Sequence, residues 1–380
     1  MAMRRYSLSI YLGLLVLLLT ACGGGNKTMH ADFAGDTIVF RHAENLTMVR
    51  YDGYTVATLR NPWDTLRNLH TYVMIPQGEP LPKHLPTGTI VRTPLTKVLV
   101  YSSVHCSLLQ QLGVIDAVAG VCDVRYIQLE ELLKRCRSGK VWDCGSALNP
   151  NIERVVELNP EAVLLSPFEN SGGYGRIEKV GVELIECADY METSALGRAE
   201  WMRFYGALFG VEACADSLFN IVEHNYLQQK QRAASAQSRL SALTDLKTGG
   251  TWYVPGGKST VGGLLKDACV NYAWMADNRS GSLPLSFEAV YEKSADADVW
   301  FIRYNRERDL TYADLASDFV GYTAFKAFKQ RKVYGCNTSH VPFYEETPFR
   351  PDYLLADFVQ IFHPELEDMD GLRYFCPLEE

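Results

Sequence analysis

Residues 98–121 read VLVYSSVHCSLLQQLGVIDAVAGV. Three apolar residues come first, then the polar break Tyr101-Ser102-Ser103. A segment with helical spacing of Leu108, Leu109 and Leu112 follows, and after Gly113 a second apolar run begins. Strands that are apolar without alternation are buried on both faces, and a helix between two of them marks a parallel βα unit. The same alternation continues outward. IQLEELLKRC (127–136) and NIERVVELN (151–159) have helical spacing, AVLLSPF (162–168) and ELIECA (183–188) are strands, and RIEKVG (176–181) is a short helix. A long helical tract over 196–234 contains Gly210, which is expected to split it in two. Beyond it the βα pattern resumes with TWYVPGG (251–257), STVGGLLKDAC (259–269), SFEAVYEK (286–293), VWFIR (299–303), YADLASDF (312–319), KVYGC (332–336) and YLLADFVQIF (353–362).

The second half repeats the first. NIERVVELNPEAVLLS aligns with SFEAVYEKSADADVWFI so that Glu153 meets Glu288, Val155 meets Val290 and Glu157 meets Glu292. The strand–loop–helix YSSVHCSLLQQLG is matched to YVPGGKSTVGGLLKDA. The expected fold class is therefore α/β: two Rossmann-like lobes of parallel sheet joined by a long connecting helix. Strand-like text between Thr37 and Pro94 adds a β-rich N-terminal extension of meander type.

Composition sets limits. The chain has 380 residues, 37 basic against 45 acidic, for a formal charge of −8. That balance excludes a nucleic-acid partner, which needs a basic surface. The 29 Gly and 16 Pro are too few for collagen or a low-complexity chain. Arg4 and Arg5 precede an apolar run from Leu8 to Leu19, too short to span a bilayer but suited to a signal peptide. Leu19-Thr20-Ala21-Cys22 then resembles a bacterial lipobox, which implies lipidation at Cys22 and a membrane anchor; the alternative is a plain secretory signal. Removing residues 1–21 takes away Arg4 and Arg5 and no acid, so the charge of −8 becomes −10. The expected division is 1–21 signal peptide, 22–36 tether, 37–96 β-rich segment, 97–195 N-terminal lobe, 196–240 connecting helices and 241–380 C-terminal lobe.

Ten cysteines less Cys22 leave an odd number, so at least one is unpaired within a monomer. Cys136 and Cys144 flank RSGKVWD and are a candidate disulfide, while Cys187, Cys214 and Cys269 sit in apolar stretches as small buried hydrophobes. Enzyme signatures are missing: Gly256-Gly257-Lys258-Ser259 resembles the end of a phosphate loop, but Trp252 occupies the first required glycine.

The order VLVYSSVHCSLLQQLGVIDAVAGV, NIERVVELNPEAVLL, LSFEAVYEKSADADVWFI resembles the substrate-binding lipoproteins of ABC importers for iron complexes and corrinoids. The likeness runs from about Lys97 to Glu367, and GRAEWMRF (197–204) and FHPEL (362–366) resemble a gut-type variant. The resemblance implies a monomeric, non-enzymatic receptor of the cell envelope and periplasm, anchored to the membrane. It would have no cofactor of its own, and would capture a small-molecule metal complex for an ABC permease and its ATPase. A ferric siderophore is the expected ligand, given Arg303, Arg306 and Arg308; cobalamin and haem are alternatives, and an anchored surface enzyme or capture lipoprotein is the rival class. It also implies that Glu153 and Glu288 dock onto permease arginines, although each could instead simply cap its helix. Strand-end loops offer Ser102, Ser103, His105, Arg125, Tyr126, Trp252, Lys258, Arg303, Tyr304, Arg306 and Arg350 as ligand contacts. Basic groups there would neutralise an anionic chelate and aromatic rings would stack on it.

Overall fold

The computed structural model describes residues 35–64, 66–169, 173–366 and 371–380, so the signal segment and Cys22 lie outside the described residues. Five strands come first: β1 (Asp36–Ile38), β2 (Leu46–Tyr51), β3 (Tyr54–Arg60), β4 (Asn68–Pro76) and β5 (Thr89–Thr93), hydrogen-bonded in that order. β2, β3 and β4 pair antiparallel, as in a meander. β5 departs from that expectation and runs parallel to β4, so the chain between them crosses back instead of turning. Leu46, Met48, Ala57, Leu59, Tyr72 and Met74 alternate into a core shared with the rest of the fold.

The N-terminal lobe contains β6 (Val98–Val100), α1 (Ser103–Gln111), β7 (Val118–Val121), α2 (Glu130–Arg137), β8 (Trp142–Asp143), β9 (Gly145–Ser146), β10 (Asn149–Pro150), α3 (Ile152–Leu158), β11 (Ala162–Leu165) and β12 (Glu183–Glu186). Its sheet runs β12-β11-β6-β7-β8, every pair parallel. Successive residues face opposite sides: Val98 and Val100 enter the main core, while Leu99 faces a smaller cluster under α3. RIEKVG forms a 3₁₀ turn, Gly175–Val180.

The connector comprises α4 (Ala195–Glu200), α5 (Met202–Phe209) and α6 (Glu212–Ser235, 24 residues). Gly210 at φ 68° ends α5, as its position predicts. GRAEWMRF anchors the β-rich extension to this connector. The fully buried Glu200 carboxylate accepts the backbone N–H groups of Arg41, His42 and Ala43 at 2.8–3.0 Å. Glu192 accepts those of Glu44 and Asn45 and the Trp201 indole N–H.

The C-terminal lobe holds β13 (Ser241–Thr244), β14 (Lys247–Thr248), β15 (Thr251–Pro255), α7 (Thr260–Asp267), β16 (Asn271–Tyr272), β17 (Ser282–Leu285), α8 (Phe287–Ser294), β18 (Val299–Tyr304), α9 (Tyr312–Asp318), α10 (Lys326–Lys329), β19 (Val333–Asn337), α11 (Phe343–Glu346), α12 (Pro351–Phe362) and β20 (Cys376–Pro377). Its sheet runs β16-β13-β18-β19-β20, with β20 alone antiparallel. β16-β13-β18-β19 repeats the order of β7-β6-β11-β12, which is the duplication seen in the sequence. One detail of the alignment is corrected. TWYVP is not the counterpart of β6; it is β15 of a separate antiparallel sheet, β14-β15-β17, whose first two strands lie between β13 and α7 and whose third follows β16.

The cysteine expectations also change. Cys136, on α2, packs towards the main core, whereas Cys144 faces the cluster under α3, so the sheet separates them and they are not bonded to each other. Cys187 is buried, but Cys269 is half-buried and Cys214 is exposed.

Candidate functional site

Parallel strands of both lobes end at one cleft, the usual place for a ligand in open α/β sheets. It encloses about 730 Å³. The N-terminal lobe contributes Ser103 at the start of α1 and Arg125, Tyr126 and Gln128 after β7. The other lobe contributes Arg303, Tyr304 and Asn305 at the end of β18, Thr338 and Ser339 after β19, and Phe343, Tyr344 and Glu345 on α11. Of the sequence-expected contacts, Ser103, Arg125, Tyr126, Arg303 and Tyr304 are brought together here.

The remaining ones lie elsewhere. Ser102 caps α1, its hydroxyl accepting the Val104 N–H. His105 is buried behind the cleft and bonds Asp189 at 2.8 Å. Trp252 is fully buried against Trp300, Tyr322 and Phe325, its indole N–H given to the Thr244 carbonyl. Lys258 is exposed on the β15–α7 loop, outside the cleft lining. Arg306 pairs with Asp318, and Arg308 with Asp314. Arg350 clasps Asp352 with two hydrogen bonds and lies over the Tyr353 ring.

Charge in the cleft is therefore not where a count of arginines would put it. Arg303 makes a bidentate pair with Asp245 at 2.8–2.9 Å. Burial works against its charge, but Asp245 holds the guanidinium protonated, its pKa raised. Arg125 is different. Its guanidinium lies 4.6 Å from the Tyr126 ring centroid, and among the described residues no carboxylate pairs with it. Tyr126 and Tyr344, 63% and 57% exposed, present aromatic faces.

Glu345 is one of several lining residues that sequence reasoning missed, with Gln128, Asn305, Thr338, Ser339 and Phe343; Glu345-Glu346 looks like an ordinary solvated pair. It is only 3% exposed. Burial raises its pKa, and the Gln128 N–H it accepts at 2.9 Å from the opposite lobe works the other way. Among the described residues its other carboxyl oxygen, also buried, has no hydrogen-bond partner. Gln128 also donates its side chain to the Thr338 carbonyl. These two links hold the lobes together at one wall of the cleft.

Glu153 and Glu288 occupy equivalent first turns on α3 and α8, each after a side-chain N-cap, Asn151 and Ser286. Glu153 is 84% exposed, with Arg176 3.9 Å away. The Glu288 carboxyl is held below its ordinary range by its own backbone N–H and the Ser286 hydroxyl. The exposed face of each helix repeats one pattern: Glu153, Val156 and Glu157 on α3, and Glu288, Tyr291 and Glu292 on α8.

Two duplicated parallel-sheet lobes, a helical connector and a shared cleft define a bilobal solute-binding protein. The chain belongs to the periplasmic binding protein family, whose profile matches residues 98–339. It is 26% identical to an uncharacterised lipoprotein of Methanocaldococcus jannaschii over 284 residues, 73% of this chain and 67% of that one. It is 30% identical to the petrobactin-binding protein of Bacillus subtilis over 150 residues, 38% of this chain and 44% of the relative. A periplasmic haem-binding protein from Pseudomonas aeruginosa shares the fold, with a TM-score of 0.59 at 17% identity over 75% of this chain and 99% of that one.

Proposed function

We propose that the protein is the lipid-anchored receptor of an ABC importer, lipidated at Cys22, that captures a ferric siderophore in the cleft and passes it to a permease coupled to an ATPase. The observation that carries the reading is Arg125, which has no carboxylate partner among the described residues, beside Tyr126, with Tyr344 opposite, at the cleft mouth. An anionic aromatic chelate would gain a charge-assisted contact and ring stacking there. Among the described residues no group of three His, Cys, Asp or Glu could hold a metal ion, so the cleft suits a complex that brings its own ligands. Arg306, Arg308 and Arg350 are neutralised and add little.

Glu153 and Glu288 are assigned to permease docking, with the receptor acting as a monomer. One acid on each lobe gives two-point electrostatic alignment. Glu157 and Glu292 extend each point to two acids around an apolar residue.

Titration of the purified protein with ferric catecholate and hydroxamate siderophores, cobalamin and haem, followed by absorbance and fluorescence quenching, tests the reading. Submicromolar binding of a ferric siderophore without turnover supports it. Tight binding of only cobalamin or haem would reassign the ligand, and catalytic conversion would remove the receptor role.

A further inference from the structure

We infer that Cys122 and Cys144 form a disulfide bond in the exported protein, a modification that fastens the cleft wall carrying Arg125 and Tyr126. The effect on the cleft rests on the receptor reading; the bond does not. β7 and β8 pair in parallel, with Gly120 opposite Trp142 and Val121 opposite Asp143. The next residues of that register are Cys122 and Cys144, and the Cys144 N–H bonds the Val121 carbonyl at 2.8 Å. Neighbouring strands lie about 4.8 Å apart, within the Cα separations of roughly 4.4–6.8 Å that disulfides span. Both side chains point into the same cluster under α3. A Cβ on Gly120 would stand 3.2 Å from the Cys144 sulfur, so that sulfur lies over the Gly120 site, two residues before Cys122 on the same strand. Leu158 and Leu99 close in on the same site, so bonding requires the Cys144 side chain to rotate from Gly120 towards Cys122.

Each thiol is pushed upward by burial, Cys144 to about 11, and Cys144 further raises Cys122. Closed strands would therefore oxidise slowly, and the bond would form as the lobe folds. The oxidant is a disulfide-donating protein of the oxidising compartment. One cysteine thiolate attacks the donor disulfide and expels a donor thiolate. The second cysteine thiolate then attacks the mixed disulfide and expels the other. Two thiols lose two protons and two electrons, and the donor becomes a dithiol.

The consequence follows from position. Cys122 and Cys144 lie at the cleft-facing ends of their strands. Asp123 gives its N–H to the Gly145 carbonyl and accepts the Ala147 N–H, lacing the two loops together. Arg125 and Tyr126 follow at once, so a covalent link beneath them would stiffen that wall.

The test is disulfide mapping of protein secreted into a periplasm and alkylated before lysis. Cleavage after Arg125, Arg135, Lys140 and before Asp116 separates Cys106, Cys122, Cys136 and Cys144. A Cys122–Cys144 linked peptide is expected, lost in C122S and retained in C136S. Reduction should lower the Tm of the wild type by roughly 5 °C and leave C122S/C144S unchanged. Full alkylation of both thiols, or Cys144 joined to Cys136 or any other cysteine, would overturn the assignment. Neither result depends on which ligand the cleft takes.

Discussion

Arg125→Ala and Arg303→Ala should fail in opposite ways, although both arginines line the same cleft. Arg125 has no carboxylate partner among the described residues and stacks beside Tyr126. Its removal should leave folding intact, with a Tm within a degree or two of wild type. A charge-assisted contact to an anionic ligand is worth about 1.5–3 kcal/mol, or roughly 10- to 150-fold in Kd. Arg303 is already satisfied by Asp245 through a bidentate pair whose side chains are 22% and 15% exposed. Deleting it strands a mostly buried carboxylate, at a cost of about 3 kcal/mol in stability. Urea unfolding and a fluorescence titration with a ferric catecholate siderophore, run on both variants, separate the two effects. Unchanged affinity in Arg125→Ala would remove the charge argument for the ligand. A normal Cm in Arg303→Ala would show that the Asp245 pair carries no stability.

Glu345→Gln should be tolerated structurally, because Gln keeps an acceptor for the Gln128 N–H, while Glu345→Ala should weaken the link between lobes and cost about 1–3 kcal/mol by urea unfolding. Charge reversal of Glu153 and Glu288 together should abolish uptake in cells while sparing ligand affinity in solution; full transport by the double variant would end the docking assignment. Glu200→Ala should release residues 41–43 from the connector, seen as faster proteolysis within the β-rich segment and a loss of about 2 kcal/mol. The Asp189 cluster sets the pH window. Burial opposes the Asp189 charge, but His105 and Arg198 outweigh it and lower the pKa to about 2, so its stabilisation is present above pH 4 and fades as pH falls towards 2. Burial likewise opposes His105, while Cys187 and Asp189 raise it to about 10, so its share is present below pH 6.5 and is lost as pH rises through 10. Tm measured from pH 2 to 11 should therefore plateau between about 4 and 6.5, and Asp189→Asn should flatten both limbs.

The amino-acid sequence by itself determined the parallel βα lobes, their duplication and the connector with its break at Gly210. These depend on residues close along the chain: apolar runs, helical spacing, and caps such as Asn151 and Ser286 placed just before Glu153 and Glu288. The extra antiparallel sheet carrying Trp252 was misplaced because a short apolar run looks alike in either kind of sheet. Only tertiary structure decided which charges remain available. Arg303 is silenced by Asp245, 58 residues away, and Glu345 is buried against Gln128, 217 residues away. It alone placed Cys144 beside Cys122 and across the sheet from Cys136. Local conformational preference acts between chain neighbours, whereas neutralisation and burial depend on distance in space. The cleft's outline could thus be read in the sequence, but not that Arg125 lacks a carboxylate partner among the described residues while Arg303 has one.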